Sequence, residues 1–516
     1  MRPHLRPHLP ARLTLAVAVL FASVPAAAQA RAARPAPAPI PAHPDRLTFA
    51  PLRYEPPAAG AHRVVLKNGL VVFIAEDPAL PLVNIQLLLR AGAYLEVDGQ
   101  AGLAELTGAL LRSGGTERLS AEALDERLDF LATTLQTGIG DTGGTVTLNC
   151  LSDTLDESLG LLVDVLKTPR FQEDRLALLK EQTLQELGKR NDDPADIEFQ
   201  AWNRLLYGER HFTNRLPTRA SIEGLTRADL VAFQQRFIHP ARMVAAVSGA
   251  FRREEMLAKL EAAFADWPRP APDTPAIPAE LAPAAAPGLY RIHKTVNQGR
   301  VSIGLVTARR DTPDAHALEV MNEILGGAGF ASRITRTVRS NEGLAYTAGS
   351  ALSLGAYYPG RFRAGFQSKS RSVAYATDLV LREIRRLRDE PPTAAELDTI
   401  KKNLIETFPS TFPSAQRSMQ VFASDEFSGR APDWWSTYRA RIAAVSATDV
   451  QDVARRYLVP EKLVALVVGD QREIALGDEA HPVKLDTLFS GTPVDLPLLD
   501  PMTLDPLPSE APPPQP

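Results

Sequence analysis

The chain has 516 residues, and at about 150 residues per domain it has room for two large domains or three to four average ones. Hydrophobic residues make up 45%, and 57 basic side chains against 61 acidic ones give a formal net charge of −4. This composition supports a large core and argues against a disordered chain, a many-span membrane protein or a nucleic-acid partner.

The first 30 residues carry Arg2, Arg6 and Arg12 and no acid, then an apolar run from Leu13 to Val24, then Ala28-Gln29-Ala30. A positive start, a short apolar run and small residues predict a cleaved signal peptide over 1–30, with no membrane span left after cleavage. The remainder holds 54 basic and 61 acidic groups, a formal charge of −7. Residues 31–47 are rich in Ala and Pro and read as a flexible lead. Val64-Val65-Leu66, Lys67-Asn68-Gly69 and Leu70–Ile74 predict a hairpin with an Asn-Gly turn. Val83–Leu89 predicts a third strand. Leucine stripes at 103–111, 124–131 and 155–166 predict core-facing helices, the second capped by Ser120. Cys150, the one cysteine, falls on an alternating stretch and reads as a small buried side chain rather than a nucleophile.

Residues 225–249 and 445–469 repeat one pattern at an offset of 220. Asp229 matches Asp449, Pro240 matches Pro460 and Gly249 matches Gly469. In both, a helix follows a hydroxyl cap (Thr226 or Ser446), stops before a proline and leads into an apolar strand ended by glycine. The expected fold is α+β with two homologous domains, 48–268 and 288–485, each with helices packed on one side of a largely antiparallel sheet. A Pro-rich linker, 269–287, separates them, and residues 486–516 form an extended or clamping proline-rich tail. In the second half, Leu289–His293 and Val301–Val306 are strands. Phe408-Pro409-Ser410-Thr411-Phe412-Pro413 breaks a helix.

Several phrases carry a resemblance. They are Arg90-Ala91-Gly92-Ala93, Gly102-Leu103-Ala104, Gly114-Gly115-Thr116 and Asn191-Asp192-Asp193-Pro194 in the first half. In the second they are Ile324-Leu325-Gly326-Gly327, Gly329-Phe330, Ser332-Arg333-Ile334 and Gly343-Leu344-Ala345-Tyr346. Over residues 60–480 the chain resembles the M16 family of zinc peptidases, the relatives of insulinase, pitrilysin and mitochondrial processing peptidase. The resemblance implies a LuxS/MPP-like metallohydrolase fold. The family's His-x-x-Glu-His phrase holds zinc with two histidines and activates water with the glutamate. Aligned on Gly102-Leu103-Ala104, the histidine positions are Glu105 and Ala109 and the base position is Gly108. Only the distal glutamate survives, as Glu186. Two carboxylates without imidazole make a poor zinc site, so no zinc is expected in this chain. Gly108 reads as a point of tight helix packing.

The second half keeps Arg339 and, seven residues on, Tyr346. The resemblance implies that they reach peptide and transition state from the C-terminal domain, and that edge strands, around Val83–Leu89 in the first half and after Tyr346 in the second, pair with an extended peptide. A lost zinc phrase beside a kept Arg/Tyr phrase implies the noncatalytic subunit of a heterodimeric metallopeptidase. Its partner would be a homologous M16 subunit with an intact His-x-x-Glu-His and the zinc. Arg339 and Tyr346 would act in trans on a peptide substrate, in the periplasm if the cell has two membranes. The alternative is a peptide-binding or structural protein with no part in catalysis.

Overall fold

A computed structural model describes residues 53–267 and 284–508, with 275–281, His43, Leu47 and Asp273 besides. The expected signal peptide lies outside the described residues, as does most of the lead. The described residues from Tyr54 onward form one compact unit built on two six-stranded sheets. The first holds β1 (Arg63–Val65), β2 (Val71–Glu76), β3 (Leu82–Leu89), β4 (Thr134–Ile139), β5 (Gly144–Leu151) and β6 (Met243–Gly249), in the order β1-β2-β6-β3-β5-β4. The second holds β7 (Gly288–His293), β8 (Gln298–Val306), β9 (Ala345–Leu352), β10 (Arg361–Lys369), β11 (Val464–Gly469) and β12 (Val494–Leu496), in the order β12-β7-β11-β8-β10-β9. Five strands of each sheet correspond, and in both the repeated strand lies parallel to one neighbour and antiparallel to the other.

Local chemistry explains the elements. The first hairpin closes because Gly69 takes φ +88 and Asn68 Oδ1 accepts the Leu70 N–H at 3.0 Å. The repeated helices, Arg227–Phe237 and Ala447–Tyr457, both start with a capping box, Thr226 with Asp229 and Ser446 with Asp449. The strands that follow, β6 and β11, are buried along their whole length, which their unbroken runs of small and apolar residues permit.

Two expectations need correction. β3 is no edge: it pairs with β6 on one side and β5 on the other, and the exposed edge of that end of the sheet is β4. The 82–89 run alternates buried and half-buried residues, a pattern that central and edge strands share. Nor do helices cover only one side of each sheet. Along β2, Val72 and Ile74 face the first half's own helices, whereas Phe73 and Ala75 face a helix of the second half, Ala415–Ser428. Reciprocally, the first half's Pro194–Tyr207 helix lays Trp202, Leu205 and Leu206 on Leu466 and Val468 of β11. The two exchanged helices are 14 residues each and occupy matching places in the two halves. The halves therefore share their cores.

The proline-rich tail adds to this. β12 pairs with β7, and beyond it the carbonyls of Leu499 and Pro501 accept from Asn191 Nδ2 and Arg190 Nη1 of the first half, at 2.7 and 2.8 Å. Phe408-Pro409-Ser410-Thr411 forms a single 3-10 turn between helices Ala394–Thr407 and Ala415–Ser428. It buries Phe408 against Tyr438, with ring centroids 5.3 Å apart. Cys150 is buried on β5, and burial pushes its thiol up to about 11. Among the described residues no helix is long and apolar enough to cross a membrane.

Candidate functional site

The helix Leu103–Ser113 begins at Gly102, whose φ is +100, and has no side-chain cap of its own. Glu96 fills that role: its Oε1 accepts the Ala104 N–H at 2.8 Å. Glu96 is 6% exposed, and burial pushes its carboxyl up to about 7 against the pull of the helix N–H groups and Arg215. Leu106, Leu110 and Leu111 anchor the helix in the core.

Gly108 meets β4. A Cβ at this position would lie 2.3 Å from the Ile139 N and 2.8 Å from the Gly138 carbonyl carbon. Thr137 Oγ1 donates to the Gly108 carbonyl at 2.6 Å, fixing the contact. The backbone of β4 thus occupies the space that the glutamate of a His-x-x-Glu-His helix would need. Ala109 brings no donor. Glu105 stays open to solvent, yet the surrounding protein raises its carboxyl, with further upward pushes from Glu186 and then Asp141. Glu186 is exposed on helix Glu173–Gly188. The structure thus brings Glu105 and Glu186 together and adds Asp141, from the turn between β4 and β5. That turn carries no motif, so only the fold reveals it. Among the described residues no group of three or more His, Cys, Asp or Glu is arranged to hold a metal ion. These residues do not fit zinc: the imidazoles are missing and β4 closes the base position.

The second half differs in kind. Its counterpart helix starts as α over Ala315–Asn322 and widens to a π turn over Glu323–Gly327, and a second π turn spans Thr335–Asn341. Arg339 lies in that second turn. Gly343, at φ +64, turns the chain into β9, the free edge of its sheet, and a bulge opposite Gln367 falls at Tyr346 and Thr347. The Arg339 guanidinium carbon sits 4.5 Å from the Phe330 ring centroid and 4.6 Å from that of Tyr346. Phe330 and Tyr346 are 66% and 81% exposed, so a cation is held between two rings that face solvent. Phe330 is the member that sequence reasoning missed as a site residue, although it stood in a quoted phrase.

Nearby Arg333 has another task. It is 2% exposed and forks onto Glu396, Nε to Oε1 at 2.8 Å and Nη2 to Oε2 at 2.9 Å. Burial opposes the Glu396 charge, but Arg333 and the Thr393 backbone outweigh it and pull the carboxyl down to about 2. Among the described residues no hydrogen bond, ion pair or ring contact joins Arg339 or Tyr346 to Glu105 or Glu186. The two groups stand in different halves of the chain, Glu105 and Glu186 on helices of the first and Arg339 and Tyr346 on a π turn and a strand of the second.

Comparison with known proteins follows the same two halves. The family profile described as insulinase (peptidase family M16) matches residues 71–216, and that described as peptidase M16 inactive domain matches 224–404. Over 422 residues the chain is 24% identical to the non-peptidase homolog YmxG of Helicobacter pylori, covering 81% of this chain and 95% of that one. Over 318 residues it is 27% identical to the uncharacterized zinc protease ML0855 of Mycobacterium leprae, covering 59% and 71%. The crystal structure of a peptidase M16 inactive domain from Pseudomonas fluorescens superposes with a TM-score of 0.70 at 23% identity, covering 79% of this chain and 97% of that one.

Proposed function

The chain belongs to the M16 peptidase family, and on that premise we propose that it is the noncatalytic subunit of a heterodimeric metallopeptidase. A homologous subunit with an intact His-x-x-Glu-His phrase supplies the zinc. This chain supplies Arg339 and Tyr346, which act on the bound peptide in trans. One observation carries the proposal: the first half has closed its metal position with β4, while the second half presents Arg339 between two exposed rings.

The chemistry of the pair follows from its geometry. Phe330 and Tyr346 restrict the guanidinium, so less side-chain entropy is lost when it forks onto a peptide carbonyl. The Tyr346 phenol makes no hydrogen bond to the described residues and is free to donate to an oxyanion as charge develops there. β9, an unpaired edge, offers backbone groups to an extended peptide. The charged, apolar start of the sequence supports export, to the periplasm where the cell has two membranes.

The test is hydrolysis of fluorogenic peptides by the mixed complex carrying R339A or Y346F. Loss of one transition-state donor lowers kcat by about 100-fold. Unchanged turnover with either variant, in a complex that still assembles, would sink the trans-catalytic role.

A further inference from the structure

Beside β9 lies a cavity of about 390 Å³ lined by three arginines, Arg300 of β8, Arg363 of β10 and Arg339. Arg300 and Arg363 already share one carboxylate. Glu198, 2% exposed on the exchanged helix Pro194–Tyr207, accepts Arg300 Nε at 2.7 Å on one oxygen and Arg363 Nη2 at 2.7 Å on the other. Ser302 Oγ joins the same network, donating to Glu198 and accepting from Arg363 Nε. Arg300 Nη1 donates to Gln367 Oε1 at 2.9 Å. Arg300 Nη2 and Arg363 Nη1 make no hydrogen bond to the described residues, and Arg339 contacts only rings. The cavity is thus lined by three guanidiniums, two of them paired with one carboxylate, which leaves a formal excess of two positive charges among these described residues.

The first sheet shows that this is not a demand of the fold. Strand register places Asn84 where the second sheet has Arg300, and Gln86 where it has Ser302. By the same register Thr145 stands for Arg363 and Asn149 for Gln367. The first sheet satisfies the corresponding pair with neutral amides, Asn149 Nδ2 donating to Asn84 Oδ1 at 2.7 Å. Neutral side chains suffice to pave such a face, so the charge in the second sheet serves something else.

We infer that this cavity binds a carboxylate of the peptide, held by Arg339 together with the free nitrogens of Arg300 and Arg363. Planar forks suit a carboxylate, and burial of Glu198 behind them holds two of the three arginines in place. An extended peptide pairing on β9 sends alternate side chains toward the sheet's cavity face or ends there with its own C-terminus. The inference rests on the peptide-contact reading of Arg339, but not on catalysis or on a zinc-bearing partner.

The test uses the full chain alone and three fluorescent peptides of equal length, followed by anisotropy. One has an internal glutamate and an amidated end, one a free C-terminus and no acid, and one neither. At least one carboxylate peptide is expected to bind about tenfold tighter than the neutral one, and which one identifies the carboxylate's source. R339Q, which breaks no ion pair, is expected to remove that advantage. R363K, which keeps the charge but not the fork, is expected to remove part of it. Equal binding of all three peptides, or an advantage untouched by R339Q, would overturn the inference. Retained carboxylate binding in a protein whose R339A leaves mixed-complex turnover unchanged would refute the trans-catalytic role and leave this site standing.

Discussion

The two halves lay the same five strands in the same order, yet they spend their helix-and-edge-strand corner differently. In the first half a regular helix presses Gly108 onto β4. In the second, Gly326 makes an equally close approach to β9, with a Cβ position 2.2 Å from the Ser350 N, but the helix around it has widened to a π turn. One corner has been closed by packing; the other opens onto Arg339, Tyr346 and an arginine-lined cavity. The sheet faces that the exchanged helices cover diverge likewise, amides and hydroxyls on one and guanidiniums on the other. A duplicated fold fixes where side chains point and leaves their chemistry free, so the two corners can differ without a change of fold.

The comparison can be broken most directly at Gly108. Alanine in a helix is favoured by about 1 kcal/mol over glycine, but here the added carbon meets backbone that cannot swing away. G108A is therefore expected to destabilise the chain by about 1–3 kcal/mol in chemical denaturation. Gly160, a helical glycine with nothing within 4 Å of its Cβ position, is the control: G160A should be neutral or stabilising. If G108A were as well tolerated, β4 would not close the metal position.

A second effect separates the halves by pH. The Glu96 carboxyl is raised from 4.5 to about 7, so its contribution to stability is full below about pH 4.5 and is lost as pH rises through 7. Glu396, pulled down to about 2, works the other way. Its contribution is present above the ordinary carboxylate range and is lost as pH falls toward 2. E96Q keeps an oxygen for the Ala104 N–H and removes the titration. It should flatten the stability profile between pH 4.5 and 7 and leave the acid limb unchanged. An unflattened profile would contradict the buried placement of Glu96.

Much of this was legible in the sequence. The offset of 220 exposed the duplication because both copies need the same cap, the same stop and the same doubly buried strand. The Glu105, Gly108 and Ala109 window showed the lost metal chemistry residue by residue. What local pattern could not carry was partnership across long separations. β3 and β4 alternate alike, and only pairing says which is the edge. Nothing near Pro194 or Ala415 announces that those helices cross to the opposite sheet. Glu198, Arg300 and Arg363 lie up to 165 residues apart and come together only through that exchange. Asp141 reached the Glu105 corner by the β4–β5 turn, and Phe330 joined Arg339 across a π turn that helical periodicity does not anticipate.

The decisive measurement is a titration of this chain into its zinc-motif homologue, with hydrolysis of a mixed fluorogenic peptide set and zinc content read at each ratio. The expected result is no hydrolysis and no bound zinc for this chain alone, and activity that rises with added chain and saturates near one to one. Chelator-sensitive hydrolysis by this chain alone, or full activity of the homologue unaffected by its addition, would contradict the division of labour between the two halves.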